Sequence, residues 1–387
     1  MKHSIFNFTP EELDLTNKLQ LIIKQEIDTS NGSIPFSRYM ELALYHPQLG
    51  YYNNLLYKFG KLGDFITSPM ISSLFAKCLS KQVLELFESD VFPSRNILEI
   101  GSGNGQLMLD FLHYVGDIIE HYYILEVSCT SVALQKLRLK EELPQYINKV
   151  TWLNALPTNF NGVIIANEVL DAQVCELFAI KDRQTYLRHV SYDETGFIYV
   201  EKLPNTAYEN EIVRNINTLP KLNDGYTSEI NLVNRGFIQT IAGCLDKGAV
   251  IFIDYGYGMD EYYNQTHAHG TLRGFFRQHQ LDDVLCFPGL IDITSSVDFS
   301  AIAQSAVDNA LDLIDYTTQA NFLINCGLVD DLKNVDNDKE YLKTTNQINK
   351  LISPNEMGEV FKVIGFSKNL EFYDWLGFRH GSLSHAL

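Results

Sequence analysis

Apolar residues first recur at helical spacing in Leu13, Leu19, Ile22, Ile23 and Ile27, behind Thr9-Pro10-Glu11-Glu12. That tetrapeptide offers an N-cap, a proline at the first helical position and a glutamate two residues on, so a helix is predicted over about residues 10–28. From Ser33 to Phe75 the period is lost among aromatics, glycines and prolines, including Tyr39, Tyr45, Pro47, Gly50, Tyr51, Tyr52, Gly63 and Pro69. A shaped loop over a site is expected there. After Pro93, short apolar runs at 96–100, 121–126, 150–153 and 162–166 alternate with helical patterns at 106–114 and 128–142. Such alternation predicts a parallel sheet with helices on both faces. Further along, 176–180, 186–190 and 196–200 read as a meander, 229–245 as a helix and 248–255 as a buried strand. Residues 257–300 show few periodic runs, 301–326 read as helical, 329–340 as an acidic solvated loop, and 359–366 as a last strand pair.

The chain has 387 residues, 45% of them apolar and 20% charged, which suits a compact α/β protein with a full core. Thirty basic residues stand against 48 acidic ones, a net charge of −18, so a nucleic-acid partner is not expected. An acidic surface attracts cationic partners, and equally it keeps copies of a soluble protein apart. The six cysteines show no paired spacing and no CxxC, which points to a reducing compartment without a disulfide framework or zinc site. Early acids (Glu11, Glu12, Asp14) suit no targeting segment, and the longest apolar run, Ala249 to Ile253, is far short of a membrane span. A cytoplasmic protein without a membrane span is the expectation.

Gly101, Gly103 and Gly105 stand where the strand ending at Ile100 meets the next helix. Glycines there let the backbone turn sharply and approach a ligand. The following strand ends in Glu126, 25 residues after Gly101, at the place where nucleotide-binding α/β proteins hold ribose hydroxyls. Together these features predict a nucleotide site, for a dinucleotide or for S-adenosylmethionine. Glu99, two residues before the first glycine, and Gln106, where GxGxxG has its third glycine, lean towards the methyl donor. The next strand ends Asn167-Glu168-Val169-Leu170-Asp171. These polar groups sit either at a reacting end or in a helix start, with Asn167 as N-cap and acids in the first turn. His267 and His269, two apart with no acid or cysteine at ligand spacing, read as loop polars, and no metal is expected.

The chain resembles the MidA-type methyltransferases, a bacterial and mitochondrial family whose mitochondrial member assists assembly of respiratory complex I. The resemblance rests on 36–40, 43–52 (Ala-Leu-Tyr-His-Pro-Gln-Leu-Gly-Tyr-Tyr), 63–69 (Gly-Asp-Phe-Ile-Thr-Ser-Pro), 99–105, 167–172 and 253–257 (Ile-Asp-Tyr-Gly-Tyr). It continues through Gly270-Thr271-Leu272, Pro288-Gly289, Asp292-Ile293-Thr294 and Val297-Asp298-Phe299. It implies a class I, Rossmann-like core that uses S-adenosylmethionine, held by Gly101, Gly103, Gly105, Glu126, Asn167, Thr67 and Pro69, with a protein arginine as acceptor. An N-terminal cap over 1–90, a core over 91–256 and a C-terminal segment over 257–387 that completes site and sheet are expected, and a homodimer is compatible with them. Two departures stand out: Gln173-Val174 replaces the Leu-Pro of relatives, and Ser296 replaces a histidine.

An arginine acceptor stays protonated at ordinary pH, so carboxylates must hold it and help remove a proton. Glu168, Asp171 and Asp64 are the acids nominated, with Asp292 and Asp298 in reserve. Glu168 and Asp171 would share one face if the segment were helical. An NAD-type oxidoreductase on the same glycine turn, and a methyltransferase-fold assembly factor without catalysis, are the rival readings.

Overall fold

The computed structural model describes residues 6–54, 56, 67–89, 91–334, 337–371 and 373–387. The chain divides into two compact units, one of Met1–Phe65, Ala172–Val233 and Asp260–Ser296, the other of Ile66–Asp171, Asn234–Met259 and Val297–Leu387.

The larger unit is built on a sheet of seven main strands: β1 (Ile97–Ile100), β2 (Tyr122–Leu125), β3 (Val150–Leu153), β4 (Phe160–Asn167), β5 (Leu245–Tyr257), β6 (Asp312–Thr318) and β7 (Phe361–Lys368). Their order is β6-β7-β5-β4-β1-β2-β3, with β7 antiparallel to both neighbours and the strands from β5 to β3 all parallel. The two-residue strand Val297–Asp298 lies beside the end of β5. The central strands are nearly continuous apolar runs because both faces are covered. Alternate side chains part to opposite cores. Ile97, Val163, Ile165, Ala249, Ile251 and Ile253 join one core with helices Ser73–Glu88 and Gln106–Val115. Leu98, Ile100, Ile164, Ala166, Val250 and Phe252 join the other, with helices Leu232–Cys244 and Phe299–Asp308. This is the doubly wound α/β core that the alternation predicted. Chain order reverses between β1 and β4, which makes the carboxyl ends of those strands the switch point where such sheets bind ligands.

The smaller unit packs helices Pro10–Thr29 and Phe36–Tyr45 with the meander Glu176–Lys181, Gln184–Asp193 and Gly196–Lys202, joined by Thr227–Ile230. The predicted cap at Thr9 is present: its hydroxyl accepts the Glu12 N–H at 3.2 Å, and the Glu12 carboxylate accepts the Thr9 N–H at 2.7 Å. A small sheet of Arg273–Phe276, His279–Leu281 and Asp292–Thr294 lies in the stretch that showed few periodic runs.

Several expected elements differ. Residues 36–45 are a helix that buries Phe36, Tyr39, Met40, Ala43 and Leu44, so its aromatics are core residues at helical spacing. Glu229 lies on the strand Thr227–Ile230, and the helix expected from it begins at Leu232. The expected helix over 301–326 is interrupted by β6, which β7 pairs along one edge. A helix, Asp338–Ile352, begins inside the expected acidic loop, and 359–366 gives one strand, β7. The two units are not divided at 90 and 256: helix Ser73–Glu88 lies in the larger unit and Ala172–Val233 and Asp260–Ser296 in the smaller, while the C-terminal third supplies β6 and β7 to the sheet that begins at β1. No helix among the described residues is long and apolar enough to cross a membrane.

At the centre of the sheet, β4 and β5 pair at Gly162 and Gly248 with φ of +147° and +150°. A Cβ on Gly248 would fall on the Gly162 carbonyl oxygen. Gly248→Ala is therefore expected to destabilise the protein by roughly 2–4 kcal/mol, read as a lower urea midpoint, and an unchanged midpoint would mean the two strands can separate without penalty.

Candidate functional site

The chain leaves β1 through Gly101, Gly103 and Gly105, at φ of +70°, +56° and +78°. Side chains rarely tolerate this left-handed region. A Cβ on Gly101 would also lie 2.7 Å from Val169 Cγ2, so the position needs glycine twice over. The Gly101 N–H donates to the Leu125 carbonyl at 2.9 Å, and the Gly105 N–H to that of Ser102 at 2.8 Å. Glu126 follows β2 and clamps the turn: Oε2 accepts the Gly103 N–H at 3.0 Å and Oε1 the Ser128 N–H at 3.0 Å. From helix Cys129–Glu142, Gln135 donates to the Gly103 carbonyl at 2.8 Å and accepts from Trp152 Nε1 at 2.7 Å. Burial pushes the Glu126 carboxyl up, against the pull of these N–H groups. Its oxygens keep lone pairs for ligand hydroxyls. Val127, 70% exposed, presents an apolar side chain next to it.

Glu99 points from β1 into the sheet's interior, where Tyr122 Oη donates to its Oε2 at 2.8 Å. Burial raises its carboxyl to about 7.

Asn167 is the last residue of β4, opposite Ile253 of β5. The following residues are not helical, so the capping alternative and the shared helical face for Glu168 and Asp171 both fall away. What shapes the turn is a residue of β5. Asp254, buried, accepts at Oδ2 from the N–H groups of Val169 (3.1 Å), Leu170 (2.9 Å) and Asp171 (3.2 Å), while its Oδ1 accepts that of Tyr255 (2.9 Å). The Glu168 N–H extends the ladder to the Ile253 carbonyl at 2.9 Å, and Glu168 sits at φ +54°. Asn234, buried at the start of helix Leu232–Cys244, donates to the Leu170 carbonyl at 3.0 Å. Asn167 donates from Nδ2 to Glu168 Oε1 at 3.0 Å, while its own carbonyl oxygen is buried without a hydrogen-bond partner.

The structure thus gathers Gly101, Gly103, Gly105, Glu126, Asn167, Glu168 and Asp171 at the carboxyl ends of β1, β2 and β4. Thr67 and Pro69 open the short helix Ser68–Ile71, which packs on Gln106–Val115, the helix that the glycine turn starts. Asp64 lies outside the described residues. Asp298 caps helix Phe299–Asp308 through the Ala301 N–H, and Asp292 accepts from Tyr52 Oη at 2.8 Å, so each has a structural task. His267 Nδ1 lies 2.9 Å from the Glu261 carbonyl, and among the described residues no three acids, histidines or cysteines stand together as a metal site. Asp254, Gln135 and Asn234 escaped the site prediction. A carboxylate directly after the apolar run Ala249–Ile253 was the available signal for Asp254.

Residues 78–317, more than half of the chain, match the model of the Methyltransf_28 family of S-adenosyl-L-methionine-dependent methyltransferases. The chain belongs to this family. A Burkholderia thailandensis protein crystallised with S-adenosyl-homocysteine is 36% identical, with a TM-score of 0.92 over 99% of this chain and 100% of its own. The mitochondrial protein arginine methyltransferase NDUFAF7 of Xenopus laevis is 28% identical over 371 residues, 86% of this chain and 80% of that protein. Its Rattus norvegicus counterpart is 29% identical over 374 residues, with the same coverage of both chains. The choice between methyl donor and dinucleotide is thereby settled: this enzyme is an S-adenosylmethionine-dependent methyltransferase, and the NAD reading falls away.

The residues fit such a donor. The left-handed glycines leave open backbone where a Cβ would intrude, and Glu126 is pinned with lone pairs to spare. Glu126→Ala should weaken S-adenosylmethionine binding about 10- to 100-fold by calorimetry, since it removes an acceptor and frees the Gly103 N–H together. Unchanged affinity would displace the site from this turn. Glu99 gives a second expectation. Folding raises its carboxyl from 4.5 to about 7, so its stabilising contribution is complete below the unfolded value and lost as pH rises through 7. Glu99→Gln should melt a few degrees above the parent at pH 8.5 and converge with it near pH 4.5. Equal melting at pH 8.5 would mean the buried carboxylate is fully compensated.

Proposed function

We propose that this methyltransferase transfers the methyl group to an arginine side chain of a protein, with Glu168 and Asp171 as the acids that hold the acceptor. The observation that carries the reading is the turn after β4, which holds two carboxylates beside the glycine turn while a third, Asp254, anchors its backbone. The NDUFAF7 relatives, which are protein arginine methyltransferases by name, support it.

The bound donor supplies a methyl group activated on a sulfonium. A guanidinium nitrogen lone pair forms the new C–N bond as the C–S bond breaks, and the nitrogen must shed a proton. In-line alignment is the enzyme's first task. Two carboxylates can grip the planar guanidinium fork and draw its charge to one end, freeing a lone pair on the attacking nitrogen. Asn167, with its unpartnered carbonyl oxygen, and the Thr67–Pro69 turn are assigned to the donor, and Asp64 is assigned to the acceptor as a further acid. The family resemblance supports a respiratory complex I subunit as the protein that carries the arginine. Six free cysteines support work in a reducing compartment. Gln173-Val174, directly after the acid turn, is where this enzyme's acceptor preference is expected to part from that of relatives.

Glu168→Gln and Asp171→Asn keep the shape of the turn and remove its charge. Each should leave donor affinity within about twofold and lower methyl transfer to protein by 10²–10⁴-fold, measured as labelled methyl incorporation into extract from cells lacking the gene. Full activity in both variants would move the acceptor site to other acids, and labelled lysine or glutamine in place of arginine would overturn the acceptor class.

A further inference from the structure

Residues 43–52, Ala-Leu-Tyr-His-Pro-Gln-Leu-Gly-Tyr-Tyr, have no task in the donor and acceptor sites described above. Helix Phe36–Tyr45 ends within them and the chain folds back, so that the N–H groups of Tyr51 and Tyr52 donate to the carbonyls of Ala43 and Leu44, each at 2.9 Å. Gly50 permits the fold-back, since a Cβ there would lie 2.4 Å from the His46 nitrogen and 2.7 Å from the Leu44 carbonyl oxygen. Tyr52 is thereby laid on Tyr45, with ring centroids 5.3 Å apart and planes 26° from parallel. Tyr51 is buried edge-on to Tyr52, whereas Tyr45 and Tyr52 both remain partly exposed.

The hydroxyls of the stacked pair are engaged. Tyr52 Oη donates to Asp292 Oδ1 at 2.8 Å, and Tyr45 Oη to the Ala172 carbonyl at 2.8 Å. All four residues belong to the smaller unit. Ala172 is bonded directly to Asp171, so Tyr45 holds the chain at the residue after a proposed acceptor acid, about 3.8 Å away from Cα to Cα. With the hydroxyls spent, the pair offers a partner its π faces, which attract cations, and Tyr52 keeps a carboxylate beside them. The nearby bases do not oppose this. Arg38, on the same helix, is bonded to Glu26 at 2.6 Å and Glu41 at 2.7 Å, while burial and the charge of Arg38 push the His46 imidazole down, towards its neutral form at ordinary pH. The net charge of −18 favours a cationic partner as well.

We propose that the Tyr45–Tyr52 stack, together with Asp292, receives the acceptor protein beside the methylated arginine and selects a segment that carries a second cationic side chain there. This rests on the reading of Glu168 and Asp171 as the acceptor acids. A contact away from the reacting nitrogen is made equally in the ground state and the transition state. It therefore sets how much acceptor is needed for half-maximal rate and leaves the rate at saturation unchanged.

The test titrates extract from cells lacking the gene against fixed enzyme and saturating labelled S-adenosylmethionine, for Tyr52→Leu, Tyr52→Phe and Asp292→Asn, with donor affinity by calorimetry and far-UV circular dichroism on each. Tyr52→Leu removes the ring and should raise the half-saturating extract concentration about 5- to 10-fold, and Asp292→Asn, which keeps an acceptor for Tyr52, about 3-fold or more. Tyr52→Phe keeps the ring and should stay within about twofold of the parent, and plateau rate and donor affinity should stay within about twofold in all three. Parent-like half-saturation in Tyr52→Leu or Asp292→Asn overturns the proposal. So does a Tyr52→Phe as impaired as Tyr52→Leu, or a fall in plateau and donor affinity in place of the change in half-saturation, which is what a merely structural stack would give. If Tyr52→Leu does not fold, the outcome for Asp292→Asn decides alone. Glu168→Gln and Asp171→Asn run in parallel: full activity in both defeats the underlying reading, whereas loss of activity in them with parent-like half-saturation in Tyr52→Leu defeats this inference alone.

Discussion

A backbone that must turn at the end of β1 without any side chain in the way is the constraint around which the larger unit is organised. Gly101 meets it. Its φ of +70° and the 2.7 Å between a Cβ and Val169 exclude other residues, and the contact lets the turn after β4 close against the turn after β1. Because chain order reverses between these two strands, no crossover helix runs directly between their ends, and polar groups gather there. The clamp of Glu126 and Gln135 then fixes the rest of the glycine turn, by hydrogen bonds that a tight structural turn alone does not need.

The same logic extends one strand further, to β5. An apolar strand buried on both faces ends in a carboxylate whose hydrogen bonds all go to backbone N–H groups near the active end of the sheet. Those N–H groups would otherwise be donors in an irregular turn under cover, where an unmade bond costs about 1–3 kcal/mol each. Asp254 satisfies three with one oxygen, and Asn234 satisfies the Leu170 carbonyl from the other side. An irregular turn thus has these backbone groups satisfied without helical geometry.

The strands and helices from Ile97 to Asn167 were legible in the sequence because both signals were strong there: apolar runs bounded by turn residues, and a 3.6-residue period between them. Gly101, Gly103, Gly105 and Glu126 were legible for the same reason, since their spacing follows from a strand, turn, helix and strand in succession. The helix Phe36–Tyr45 was not, because its buried face is written with Phe36, Tyr39 and Met40 next to a glycine- and proline-rich stretch, and local composition masked the period. The strand Asp312–Thr318 was hidden by its partly buried, polar text, which only the neighbouring β7 converts into a ladder. Asp254 could be read as an acid at a strand end but not as the anchor of residues 169–171, a relation across more than eighty residues that only the parallel pairing of β4 and β5 creates.

Glu168 carries the argument about function one step beyond position. Its φ of +54° lies in the region that favours glycine, and holding a longer side chain there costs about 1 kcal/mol or more. The turn could keep all of its backbone hydrogen bonds with glycine at this place, since they involve the Glu168 N–H, the three N–H groups on Asp254 and the Leu170 carbonyl, none of which is a side-chain atom of Glu168. Glu168 is partly buried. What glycine cannot supply is the carboxylate, beside Asn167 and within the field of Asp254. On the proposed reading, that carboxylate is what meets a cationic acceptor, and the left-handed backbone of Glu168 is then explained by the charge it carries.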